Sequence, residues 1–336
     1  MRAAMSIAVK AVSVAAKAAG RTTVSAAVSF VSFAMASAAL AAVPPRPAIT
    51  GVSHIAVYAA APAKSERFYV HDLGAVKGAD PENPKGVRYY FSSAQFVEVL
   101  PLPSGPPSIN RLDHVAFTTT DVQALRAYLV GSKIAVSQPI QKGSDGSQWF
   151  DVSDPEGHRI EFVQPPTDAR PGSADAPGIA PNPLSSHIIH VGFIVHNRAS
   201  EDAFFRTVLG FRPYWFGGMQ DNKADWISQQ VPEGTDWLEY MIVGTPEGHG
   251  IPTDMKATTL GILDHFSLGV ESAESTYTLL WNGGRLEGQT ELPKIGRDAK
   301  WQLNLYDPDG TRAEIMELHA IGKPCCSPFT ASDPTK

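Results

Sequence analysis

Cysteine is nearly missing from this 336-residue sequence: there are two, adjacent at Cys325-Cys326 in a Pro/Ser-rich end. That excludes a disulfide framework, and two sequence neighbours are strained partners for each other. Residues 320–336 are therefore expected to form an exposed, irregular tail. Basic charge is scarce as well, with 28 Lys and Arg against 34 Asp and Glu. The resulting net charge of −6 is a poor match for nucleic acid or anionic lipid. Long apolar runs are confined to the start of the chain. Residues 1–42 contain no acidic residue and four basic ones (Arg2, Lys10, Lys17, Arg21), followed by the apolar run Val24 to Ala42. This reads as a secretory signal peptide ending at Ala39-Leu40-Ala41-Ala42. The bland alternatives are an uncleaved anchor or a start at Met5. Cleavage removes four positive charges and takes the net charge from −6 to −10. The mature protein is then expected to be exported, periplasmic or secreted, with no membrane contact.

What remains is 43% hydrophobic over the whole chain and long enough for two domains with proper cores. Four segments share one order: an apolar strand carrying a histidine, a helix of about ten residues, then three strands, the last bearing a glutamate. The opening strands are Gly51–Tyr58 around His54, Leu112–Thr118 around His114, Ile188–Val195 around His190 and, in the fourth copy (Ile262–Leu318), Leu263–Leu268 around His265. Helices are expected at Pro62–His71, at Val122–Val130 after Asp121 as N-cap, at Ala199–Leu209 and near Ser272–Trp281. Strands are expected at Ile134–Ile140, Ser147–Val152 and His158–Gln164 in the second copy. The closing glutamates are Glu98, Glu161, Glu239 and Glu314, spaced 44, 47, 49 and 49 residues from their histidines. A Pro-rich linker at 166–186 separates the domains 50–165 and 187–319.

Each glutamate sits among apolar strand neighbours, where burial is costly unless something compensates the charge. A divalent cation does so, and imidazole with carboxylate suits iron, zinc, nickel or manganese. Two units face to face would gather His54, Glu98, His114 and Glu161 in one half and His190, Glu239, His265 and Glu314 in the other. Taken singly, each histidine is more often a hydrogen-bonded core residue; the fourfold repeat is what favours ligands. His71, His158, His187, His196, His249 and His319 have no repeated partners and read as surface or loop residues.

The βαβββ repeat and the endings Asp154-Pro155-Glu156-Gly157-x-x-x-Glu161 and Asp307-Pro308-Asp309-Gly310-x-x-x-Glu314 resemble the vicinal oxygen chelate superfamily. That superfamily includes glyoxalase I, extradiol dioxygenases and bleomycin resistance proteins. The resemblance covers about residues 50–318. It implies an α+β fold of four modules forming two paired, cupped mixed sheets, with all eight residues above as metal ligands. It also implies a small substrate bound through its oxygens, with Glu161 or Glu314 as the base in a glyoxalase-like reaction. An extradiol-like iron set would be His190, His265 and Glu314, but Asn304 and Asp151 stand where those enzymes usually carry a tyrosine. Asp151, Asn304 and Trp237 are candidate substrate contacts, against turn residues and plain core packing as the simpler readings. The expected protein is a lyase, isomerase or dioxygenase, monomeric or homodimeric. The alternative is a sequestering protein of the same fold that performs no chemistry. Module pairing stays open between 1 with 2 and 3 with 4, or 1 with 4 and 2 with 3; the linker position favours the first.

Overall fold

A computed structural model describes residues 43–104, 110–166, 183–244 and 264–335. The expected export signal, most of the expected linker and His249 lie outside the described residues. The first module comprises β1 (Ile49–Ala59), α1 (Pro62–Glu66) continued by a π-helical turn (Arg67–Asp72), β2 (Val76–Ala79), β3 (Val87–Tyr90) and β4 (Phe96–Pro101). The second comprises β5 (Leu112–Thr119), α2 (Val122–Gly131), β6 (Gln141–Lys142), β7 (Gln148–Ser153) and β8 (Arg159–Gln164). In the third are β9 (Ile188–Val195), α3 (Arg198–Asp202) with its π-helical continuation (Ala203–Val208), β10 (Arg212–Gly217), β11 (Trp226–Gln230) and β12 (Trp237–Ile242). The fourth has β13 (His265–Val270), α4 (Ala273–Asn282), β14 (Lys294–Ile295), β15 (Trp301–Tyr306) and β16 (Arg312–Glu317).

Local chemistry sets these boundaries. Asp121 caps α2 by accepting from the Ala124 N–H at 2.9 Å, and Ser272 caps α4 through the Ser275 N–H at 3.1 Å. The helices of modules one and three end at Gly74 (φ 77°) and Gly210 (φ 80°), in the left-handed region that glycine enters without steric cost. The Asp-Pro-x-Gly endings are side-chain-stabilised turns. Asp154 accepts from the N–H of Glu156 (3.0 Å) and His158 (2.8 Å), and Asp307 accepts from Asp309 (2.9 Å) and Thr311 (2.8 Å). Each turn launches the last strand so that its glutamate falls at a fixed offset.

The strands form two eight-stranded sheets, ordered β2-β3-β4-β1-β5-β8-β7-β6 and β10-β11-β12-β9-β13-β16-β15-β14. Module one therefore pairs with two, and three with four. In each sheet the two opening strands meet antiparallel at the centre, and each runs parallel to the closing strand of its own module. This is the cupped, mixed-sheet α+β fold that the repeat implied. Side chains alternate. Val97, Val99, Val115, Phe117, Ile160 and Phe162 of the first sheet, like Val191, Phe193, Leu238, Tyr240, Phe266 and Leu268 of the second, enter one continuous core with the helices. The halves also meet through α1 and α2: the Tyr69 hydroxyl donates to Asp307 (3.0 Å), and that of Tyr128 donates to the Val208 carbonyl (2.6 Å).

Two expectations are corrected. Residues 134–140 form no strand; they are irregular, Pro139 has no N–H to give a ladder, and pairing begins only at Gln141. Nor is the C-terminal tail a free end, although it is irregular. Cys325 and Cys326 are bridged to each other. The segment is tied to the β10 edge by Thr330 N–H to the Tyr214 carbonyl (3.0 Å) and to the loop before β15 by Cys325 N–H to the Arg297 carbonyl (2.7 Å). Backbone groups left over at an edge strand supplied partners that no sequence periodicity announces.

Candidate metal centres

The alternation that sends valines into the core sends His54, Glu98, His114 and Glu161 to the concave side of the first sheet. Register brings them level: Ala56 pairs with both Glu98 and His114, and Ala116 with both His54 and Glu161. The ring nitrogens His54 Nε2 and His114 Nε2 lie 2.9 Å apart. Glu161 stands 3.5 Å from His54 and 3.8 Å from His114, and Glu98 stands 3.9 and 3.6 Å from the same two nitrogens. All four are buried. The second sheet repeats this: His190 Nε2 and His265 Nε2 are 3.0 Å apart, Glu314 is 3.1 Å from His190, and Glu239 is 3.3 Å from His265. All eight sequence-named ligands thus converge in two clusters, one per cup.

The donor sets fit a divalent cation. Two imidazole nitrogens bound at right angles to one ion, each at about 2.1 Å, sit about 3.0 Å apart. Both histidine pairs have that separation. Glu98 Oε2 and both Glu161 oxygens are buried with no hydrogen-bond partner among the described residues, as befits acceptors meant for an ion. In the first cup the imidazoles are turned toward the centre by their far nitrogens: His114 Nδ1 lies 2.7 Å from Asp113, and His54 Nδ1 lies 3.1 Å from Ser53. His54 also stacks on Phe96 (4.4 Å, 16°), and His190 stacks on Trp237 (4.5 Å, 29°).

The two centres differ electrostatically. Burial and a hydrogen bond with Asp80 push Glu98 up to about 10, and burial with the nearby Glu82 charge pushes Glu161 up too. Added positive charge would favour ionisation of both. At the second centre burial acts the same way but loses to the hydrogen bond from His190, and Glu314 comes down to about 2. Glu239 is lowered in the same manner by His265 against its burial. Burial lowers His54, His114 and His265, keeping those imidazoles neutral and able to donate electron pairs.

Asp151 and Asn304 face the glutamates in register, Asp151 opposite Glu161 and Asn304 opposite Glu314. Asp151 is occupied by Arg159 at 3.0 Å, whereas the buried Asn304 Oδ1 has no partner among the described residues. Trp237 packs on a ligand, and its Nε1 is likewise unpartnered among the described residues. Of the histidines without repeated partners, His158 is half-buried against Asp154 (2.6 Å) and His187 against Asp236 (2.8 Å), each steadying a turn or loop. Sequence reasoning missed four groups near the centres. Arg159 and Arg312 each precede a ligand glutamate by two residues, and their place in both Asp-Pro-x-Gly endings was the available signal. Glu82 and Lys300 had none, being loop residues without counterparts in the other modules.

Comparison with known proteins agrees with the geometry. Residues 51–162 match the Glyoxalase/Bleomycin resistance protein/Dioxygenase superfamily. A variant of homoprotocatechuate 2,3-dioxygenase from B. fuscum superposes with a TM-score of 0.57 at 17% identity, covering 82% of this chain and 73% of that one. The 2,3-dioxygenase LapB from Pseudomonas sp. KL28 gives 0.57 at 17%, covering 84% and 98%. The Mn(II)-bound glyoxalase from Novosphingobium aromaticivorans gives 0.57 at 15%, covering 81% and 83%. At these identities the likeness is one of fold. No curated protein matches the chain. Residues 51–162 carry the match to that superfamily, and the paired-module fold of both halves is the one these dioxygenase and glyoxalase structures share.

Proposed function

We propose that the protein is a metal-dependent enzyme that binds two neighbouring oxygens of a small substrate and moves a proton on it, in the manner of a lyase or isomerase. The carrying observation is Glu239 beside His265 at 3.3 Å, which places a second glutamate next to the set of His190, His265 and Glu314. Four protein donors leave two positions of a six-coordinate ion, enough for a bidentate substrate and none for dioxygen. Iron oxygenases of this kind rely on two histidines and one carboxylate with more positions open. The cation, when bound, supplies Lewis acidity toward the substrate oxygens. His190 and His265 would hold it through their ring nitrogens, with Trp237 packed on the His190 ring. Glu314 is the base, and Asn304 offers an Oδ1 without a partner among the described residues to a polar substrate group. Glu161 stands at the matching place in the first cup.

The dioxygenase reading keeps one point in its favour, the placement of His190, His265 and Glu314 together. A sequestering protein is the alternative from another class. Elemental analysis of purified protein with a substrate screen spanning catechols and thiol adducts separates the three. Proton exchange or isomerisation without oxygen uptake supports the proposal. Oxygen consumption with ring cleavage assigns the dioxygenase, and protein free of transition metal assigns the sequestering role. Export through residues 1–42 is part of the proposal and is tested by N-terminal sequencing of protein from the periplasm or medium.

A further inference from the structure

The first cup holds a carboxylate that the four-ligand pattern does not contain. Glu82 lies in the loop between β2 and β3, and one of its oxygens, a ring nitrogen of His54 and an oxygen of Glu161 all lie within 4.8 Å of one another. Its side chain is 6% exposed although it comes from a surface loop. Arg88, opposite Glu98 on β3, holds it there: Nη2 is 2.5 Å from Glu82 Oε1, Nε is 3.2 Å from Asp80, and the guanidinium lies 4.1 Å over the Phe96 ring that stacks on His54. Arg88 pairs with one Glu82 oxygen and Arg159 stands 3.7 Å from Glu161, but both Glu161 oxygens lack a hydrogen-bond partner among the described residues, and three acids around His54 form a cluster that a divalent cation would compensate.

The second cup is built otherwise. Ser228 stands opposite Glu239 where Arg88 stands opposite Glu98, and donates to it at 3.3 Å. The matching loop, 218–225, sends its acids elsewhere. Asp221 pairs with Arg297 at the surface, and Asp225 accepts from the Met219 N–H at 2.8 Å.

We propose that Glu82 is a fifth protein ligand of the first centre, making it a closed structural site for a hard divalent cation such as Mn²⁺ and leaving bidentate substrate binding to the second centre alone. Two imidazoles and three carboxylates form a set richer in hard oxygen donors than that of the second cup. Five donors leave at most one position of six, too few for two substrate oxygens. This inference rests on both cups binding metal, as proposed above.

The test loads full-length protein with Mn²⁺ and measures stoichiometry, release to excess EDTA, and water proton relaxation by the bound ion, for wild type and Glu82→Ala. The expected wild-type result is two ions per chain released in two phases, the slow one contributing little to relaxation because the closed centre holds little or no water. Glu82→Ala should speed the slow phase at least ~10-fold, the size of a tenfold loss in affinity, and raise its relaxation. Unchanged release and relaxation in Glu82→Ala overturn the role of Glu82 while leaving two-centre binding intact. A wild-type protein that takes up only one ion, lost in Glu314→Gln, overturns the metal reading of the first cup itself. Glu82→Gln, which keeps shape and a neutral oxygen, covers the case in which the alanine variant fails to fold, with release intermediate between wild type and the open site.

Discussion

Glu314 and Glu161 occupy equivalent places, yet their surroundings shift their carboxyls in opposite directions. Glu314 receives a hydrogen bond from His190, while Glu161 shares its cup with other acids and receives none from the described residues. Separate Glu314→Gln and Glu161→Gln substitutions are expected to lower metal content at the second and first centre respectively, read by elemental analysis. Unchanged content in both would discard the ligand assignment. Glu314→Gln is also expected to slow turnover by about 10²–10⁴-fold, the usual share of a general base; Glu161→Gln is not. Trp237 carries a different load. Its indole packs on His190 and Tyr214 and is 2% exposed, so Trp237→Ala should cost about 3–5 kcal/mol in urea unfolding. It should also weaken metal binding at the second centre by about 10–100-fold, as loss of a group orienting a ligand does.

At the scale of strands and turns, the strict two-residue alternation lets a polar ligand sit between core residues on every opening and closing strand. Such alternation survives duplication, which is why the histidines and glutamates were legible as a repeat. The ends of α1, α2, α3 and α4 were legible for the same local reason, as Asp121, Ser272, Gly74 and Gly210 act on their immediate neighbours. Residues 134–140 misled because apolar residues alternate there without an edge to pair with. Gly192 shows what alternation alone does not reveal: a Cβ there would lie 2.1 Å from His265 Cε1, so the ligand ring fills the space a side chain would need. The equivalent position in the first sheet is Ala56, facing Glu98 and His114 as Gly192 faces Glu239 and His265. Gly192→Ala is therefore expected to displace His265, emptying the second centre while the first keeps its ion. The overpacking should cost about 1–3 kcal/mol, read by metal analysis and denaturant titration together.

Across the whole molecule, the C-terminal segment runs from the β15 end of the second sheet to its β10 edge. Phe329 packs tilted against Tyr214 (5.0 Å, 39°), and Asp333 binds Lys300 at 2.9 Å and accepts from the hydroxyl of Tyr214. Lys300 is fully buried and sits 5.3 Å over the Trp237 ring, linking this strap to the packing around His190. Burial would raise the Asp333 carboxyl, but hydrogen bonds from Tyr214, His319 and Lys300 outweigh it and hold the group below its ordinary range. Because the folded pKa is depressed, the clasp is at full strength above about pH 4, the ordinary carboxyl value, and is lost as pH falls through the lowered one. Hydrogen exchange at the Thr330 amide should therefore accelerate in that acid window before the sheets unfold. In Asp333→Asn the same amide should exchange faster at neutral pH with no acid step of its own.

The sequence alone determined which side chains were candidate ligands and which turns deliver them, because those are short-range properties copied with each module. It also carried the family resemblance, since the Asp-Pro-x-Gly turn and its following glutamate are contiguous. Only the tertiary structure decided that module one pairs with two and three with four, and that each histidine pair meets at about 3 Å. It alone brought Glu82 in from a loop and laid the last residues across the second sheet. Those outcomes depend on strand edges and loops finding partners far along the chain, and no periodicity in the residues encodes such long-range contacts.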